Sequence, residues 1–142
     1  MNRHEFVLGV LSAGGEQASF SPVQVQKLFF VLDREIPGLV GGPYFDFQPY
    51  DFGPFDKAVY GALNRLGLQD LAEKTGDGNY RQYSLTREGL DRGRELFAEL
   101  PGSAQEYIVE ITTWVRSLSF SQLVSAIYRD YPEMRVNSIF QQ

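Results

Sequence analysis

Tyr50-Asp-Phe-Gly-Pro-Phe-Asp-Lys-Ala-Val-Tyr60 is the stretch on which the reading of this chain turns. Its first half is extended, because a residue before proline is pushed out of the α region and Gly53 supplies a turn. Its second half begins an apolar stripe. Phe55, Val59, Ala62, Leu63 and Leu66 recur at helical spacing and predict a helix over residues 55–66, with Gly67 as its C′ residue. Asp56 falls in the first turn, where the helix dipole favours a carboxylate. An aromatic arm bent at Gly53-Pro54 thus runs directly into a helix.

Upstream of the arm, Asn2 caps a first helix reaching about Ala13, with Phe6, Val7, Val10 and Leu11 on one face and Gly14-Gly15 at its end. Ser21 at N-cap and Pro22 at N1 start a second helix over 22–36, whose stripe is Val25, Leu28, Phe29, Leu32 and Ile36. Phe30 and Val31 widen that stripe, which makes this helix the central one. Pro37-Gly38 stops it. Residues 39–54 hold the aromatic string Tyr44, Phe45, Phe47, Tyr50 and Phe52 among prolines and glycines. They are expected to be extended, with Tyr44, Asp46 and Gln48 facing one way and Phe45, Phe47 and Pro49 the other, long enough for a short strand.

Downstream, residues 71–75 and 80–85 flank Gly76-Asp-Gly-Asn79, turn chemistry between two strands of a hairpin. Thr86 caps a fourth helix through Leu100, on which Gly89 and Gly93 permit close packing of another helix. A fifth, over 104–118, carries a seam of Tyr107, Ile108, Ile111, Trp114, Val115 and Leu118 expected in the core. A sixth spans 121–129, and residues 133–142 form a tail. The order predicts one domain over 1–142 of mostly α, α+β class. It is a winged-helix-like helical domain with one small β-hairpin, a core over about 2–100 and C-terminal helices over about 104–130.

Composition narrows the function. The 142 residues carry a net charge of −5, and the acidic excess is shared: seven Lys and Arg stand against ten Asp and Glu up to residue 86, and six against eight beyond it. Domains that grip a phosphate backbone by releasing counterions usually carry the opposite sign, so DNA is the less favoured partner. There is no cysteine, which excludes disulfides and thiolate sites and fits a reducing compartment. No apolar run approaches the roughly 18 residues of a membrane span, and the first residues lack a signal-peptide h-region, so a cytoplasmic, membrane-free protein is expected.

Catalytic chemistry finds no foothold. A hydrolytic or metal site needs convergent His, Cys, Asp or Glu, and the single histidine, His4, stands beside Glu5 without such company. Neither a phosphate-binding Gly-rich loop with its lysine nor a Gly-x-Ser-x-Gly elbow is present, and residues 38–42 lack the context for one. Asp51 and Asp56 are the nearest approach to a carboxylate pair. The expectation is therefore no enzyme, no cofactor and no metal.

Three segments resemble a known family. Val25-Gln-Lys-Leu-Phe-Phe30, Tyr50-Asp-Phe-Gly-Pro-Phe55 and Tyr83-Ser-Leu-Thr-Arg-Glu-Gly89 are similar to the Lys-Leu-Gln-Lys-Leu-Leu-Tyr, Tyr-Gly-Pro and Leu-Thr-x-x-Gly landmarks of the YwgA-like and Panacea (SocA-like antitoxin) proteins. The resemblance covers roughly residues 20–90, and the chain differs in carrying Asp51 and Phe52 between Tyr50 and Gly53-Pro54. It implies a bacterial or phage winged-helix module, often an antitoxin or an accessory protein of a defence or mobile element.

The expected function is protein interaction, with a toxin or a defence-system subunit as partner and a homodimer as a further arrangement. The aromatic arm and the outer face of the third helix would make the contact, through Tyr44, Tyr50, Phe52, Lys57, Tyr60, Asn64 and Arg65, since aromatic residues and arginine dominate interface energetics. The alternative is a winged-helix transcription regulator. Lys57, Asn64 and Arg65 would then face the major groove, and Lys74 and Arg81 the phosphates.

Overall fold

Residues 1–140 are described by a computed structural model. Helix α1 (Arg3–Ser12) is closed at its start by a capping box in which Asn2 accepts from the Glu5 amide and Glu5 from that of Asn2. After the short strand β1 (Ser19–Phe20), Ser21 and Gln24 make the same reciprocal pair at the start of α2 (Pro22–Glu35). Every residue from Val25 to Asp33 is buried, so α2 is enclosed on all sides. Fully encircled helices sit at the centre of small domains, and several later helices pack against this one.

Pro37-Gly38 does not end the helical path outright. One further turn, α3 (Pro37–Val40), follows and closes on Gly41 at φ 77°, a left-handed position that glycine adopts without strain. The aromatic arm then folds back on itself as β2 (Gln48–Tyr50) and β3 (Gly53–Phe55), paired antiparallel with Gln48 opposite Phe55. Helix α4 (Ala58–Leu68) therefore starts three residues later than the apolar stripe predicted, and Phe55 belongs to a strand. The cause is Asp56. Its carboxylate accepts from the Ala58 amide at 2.8 Å, which ends the hairpin and places Asp56 before the helix instead of in its first turn. Gly67 lies inside α4, and the left-handed residue that reverses the chain is Asp70, at φ 58°.

The hairpin expected over 71–85 is present as β4 (Ala72–Thr75) and β5 (Gln82–Leu85), joined through a 3₁₀ turn at Gly78–Tyr80. It is larger than expected. β1 pairs with β5, Phe20 opposite Tyr83, giving a three-stranded antiparallel sheet in the order β1-β5-β4. Thr86 caps α5 (Arg87–Ala98), which crosses α1 at close range: a Cβ on Gly93 would lie 2.7 Å from the Leu8 carbonyl oxygen. Gly89 meets the backbone of Leu71, not a helix. Then come α6 (Gly102–Ser117) and α7 (Phe120–Asp130), the latter begun by a Ser119–Gln122 capping box. The chain is mostly helical with small sheets, as its element order predicted.

The segment after α7 is held by more than its apolar residues. Met134 is buried, whereas Val136 and Ile139 are exposed. Hydrogen bonds do the docking: the Asn137 side chain donates to the Pro49 carbonyl at 3.1 Å and the Ile139 amide to that of Asp51 at 3.0 Å. The expected tail of 133–142 is thus strapped along the β2-β3 hairpin as far as Phe140, and Gln141 and Gln142 lie outside the described residues.

Candidate partner-binding surface

The aromatic arm, with the hairpin that carries its exposed aromatics, is held by three polar side chains of α2. Gln26 donates to the Asp56 carbonyl and accepts from its amide, both at 3.0 Å. Lys27 donates from Nζ to the Pro54 carbonyl at 3.1 Å. Asp33 accepts from the amides of Tyr44 and Phe45 at 2.9 and 2.8 Å. All three are buried, because an arm rich in proline and short of strand partners leaves backbone groups that only side chains can satisfy inside the fold. Burial lowers the Lys27 ammonium from 10.5 to about 7. Burial raises the Asp33 carboxyl, against the pull of its two amide donors.

Sequence reasoning passed over Gln26, Lys27 and Asp33. Their signal was available: polar residues interrupting a helix that is apolar on every other side have to meet polar partners.

The aromatic string divides between core and surface. Phe45 is buried against Phe29, and Tyr44 is stacked on Phe6 at 4.2 Å with its hydroxyl donating to the Val40 carbonyl. Tyr44 is therefore partly buried and engaged in packing against α1. Tyr50 and Phe52, at 56% and 39% exposure, project from the hairpin. Phe52 meets Phe120 edge-on at 5.1 Å, and Phe120, itself 43% exposed, was not anticipated. Together with Val23 and Leu118 these two rings line a groove of about 600 Å³ whose polar contributors are Ser21, Gln24 and Asn79. No ionisable side chain lines it.

Lys57, just before α4, and Asn64 and Arg65 on it are exposed, as is Lys74 on β4. Tyr60 and Arg81 are not available in the same way. Arg81 lies over the ring of Tyr60 at 4.8 Å and that of Tyr83 at 5.6 Å, and Tyr60 stacks on Tyr83 at 6.1 Å. This sandwich ties α4 to β5, so both side chains are committed within the fold. Burial raises the Tyr60 phenol.

Among the described residues no three His, Asp or Glu side chains converge as a metal site would require. No described helix is long and apolar enough to cross a membrane. Comparison of the chain with family models, with curated proteins and with solved structures finds no match in any of the three.

Proposed function

We propose that the chain is a non-enzymatic protein-interaction module, acting in the bacterial cytoplasm as an antitoxin-like or accessory component of a defence or mobile-element system. The observation that carries this reading is the uncharged groove at Phe52 and Phe120, on the same hairpin as the exposed Tyr50. Half-exposed aromatics around a concave apolar surface are the anchors of protein interfaces, since they bury large area at small entropic cost. The resemblance of residues 20–90 to YwgA-like and Panacea proteins supports the class of partner. The test is binding to the products of neighbouring genes, measured by calorimetry for the wild type, Phe52→Ala and Phe120→Ala. Each substitution is expected to weaken a genuine complex at least about tenfold with the thermal melt nearly unchanged. Equal affinities in all three proteins would reject the surface, and sedimentation without partner reads self-association through it.

A winged-helix regulator remains the second reading, favoured by one observation: Lys57, at the start of α4, and Asn64 and Arg65 on it are all exposed. Nanomolar, sequence-dependent DNA affinity lost on Arg65→Ala would decide for it.

A further inference from the structure

The α6 seam expected in the core is only half enclosed. Ala104, Ile108, Thr112 and Val115 are buried, but Tyr107 and Trp114, a neighbouring row at i and i+7, are partly exposed. With Tyr131, at the end of α7, they line a cleft of about 330 Å³ against α2. Three aromatic side chains thus share one opening with Glu110, Arg129 and Asp130. Arg129 and Asp130 pair with each other at 3.1 Å, which leaves Glu110 as the lining charge with no basic partner among the described residues. Glu35 lies close by, accepting from the Tyr131 hydroxyl. Burial first, then the fields of Glu35 and Glu110, raise the Tyr107 phenol.

We propose that this cleft binds an organic cation, an ammonium head carried on alkyl carbons. The aromatic lining supplies π-faces that attract such a head, its carbons take up apolar area, and Glu110 fixes the sign of the charge. A metal ion is a poor fit, because of the two carboxylates lining the opening Asp130 is already paired with Arg129. Tyr131 already acts in this way toward its own chain: the Arg34 guanidinium stands over its ring at 5.4 Å, with its charge met by Glu133 at 2.7 Å. The cleft is lined by a different set of residues from the groove at Phe52, so failure here leaves the partner surface untouched.

Trp114 is the only tryptophan in the sequence, so its emission reports on this cleft. The full chain is titrated with choline, with Nα-acetyl-lysine methylamide and with 3,3-dimethylbutan-1-ol, the uncharged carbon analogue of choline, each at matched sodium chloride. The expected result is a saturable emission change with at least one cation, half-complete on the order of a millimolar, and none with the alcohol. Tighter binding of choline assigns a free quaternary amine, and tighter binding of the lysine amide assigns a side chain of another protein. Glu110→Gln, at a solvent-facing position, should weaken the response at least about fivefold with an unchanged melt. No saturable change with either cation, an equal response to the alcohol, or an unweakened Glu110→Gln protein would overturn the proposal.

Discussion

Lys27 donates to the carbonyl of Pro54 at 3.1 Å, 3% exposed, and forms no ion pair among the described residues. A buried ammonium without a counter-charge is costly, and the amine responds by shedding its proton near neutrality. Two ionisable groups on neighbouring elements are engaged elsewhere: Asp56 accepts from the amides of Asp46 and Ala58, and the Tyr128 phenol donates to Ser138.

Stability should therefore depend on pH through Lys27. In the fold its pKa is lowered to about 7, whereas in the unfolded chain it stays near 10.5. Between those values the unfolded state holds more protons, so stability rises with pH across that window. Below pH 7 the full burial cost is borne. Replacing the amine by methionine removes this slope, so the stability of Lys27→Met relative to wild type should fall as pH climbs from 7 to 10, by up to about 1.4 kcal/mol per unit. Urea denaturation of both proteins at each pH checks it, and parallel profiles would rule it out.

The aromatic residues should separate into two classes. Tyr60→Ala dismantles the sandwich with Arg81 and Tyr83 and should cost about 2 kcal/mol or more of stability, as should Tyr44→Ala through its stack on Phe6. Tyr50→Ala and Phe52→Ala should stay within about 1 kcal/mol of wild type. Thermal melts of the four variants make the comparison.

Glycine substitutions should have opposite signs at two helical positions. A methyl group at Gly93 would press on the Leu8 carbonyl and on Ser12, so Gly93→Ala should destabilise by about 1–3 kcal/mol. Nothing lies within 4 Å of a methyl group at Gly61, in the middle of α4, and Gly61→Ala should stabilise by about 0.5–1 kcal/mol. Equilibrium unfolding reads both.

Nucleic acid should bind weakly. With a net charge of −5 and Arg81 committed to two rings, fluorescence anisotropy with duplex DNA should give affinities no tighter than the micromolar to 0.1 mM range, roughly, of nonspecific contacts at physiological salt.

Much of the scaffold was legible because its signals are local. The Ser21-Pro22 start, the Thr86 cap and the apolar spacing of α2 each need only a few neighbouring residues to be read. β1 escaped because two residues carry no period, and their pairing with β5 joins positions more than sixty residues apart. The start of α4 was misjudged because Phe55 fits the helical stripe, while Gln26, thirty residues away, grips Asp56 and holds the strand before it. For the surface, composition alone named Tyr50 and Phe52 but could not tell them from Tyr44, whose partner Phe6 is far off in sequence. Phe120 was unmarked for the same reason: a residue joins a site by proximity in space, and α7 reaches the hairpin only once the bundle is assembled.

Because Gln26 and Lys27 hold the far strand of the hairpin by its backbone, the identities of the side chains at its tip are free to change. Residues 50–52 can be rewritten with the peptide path intact, much as the tip of a tool is exchanged on a fixed handle. Relatives sharing the α2 anchors would then be able to diverge rapidly at the tip and acquire new partners while their folding stability stays put.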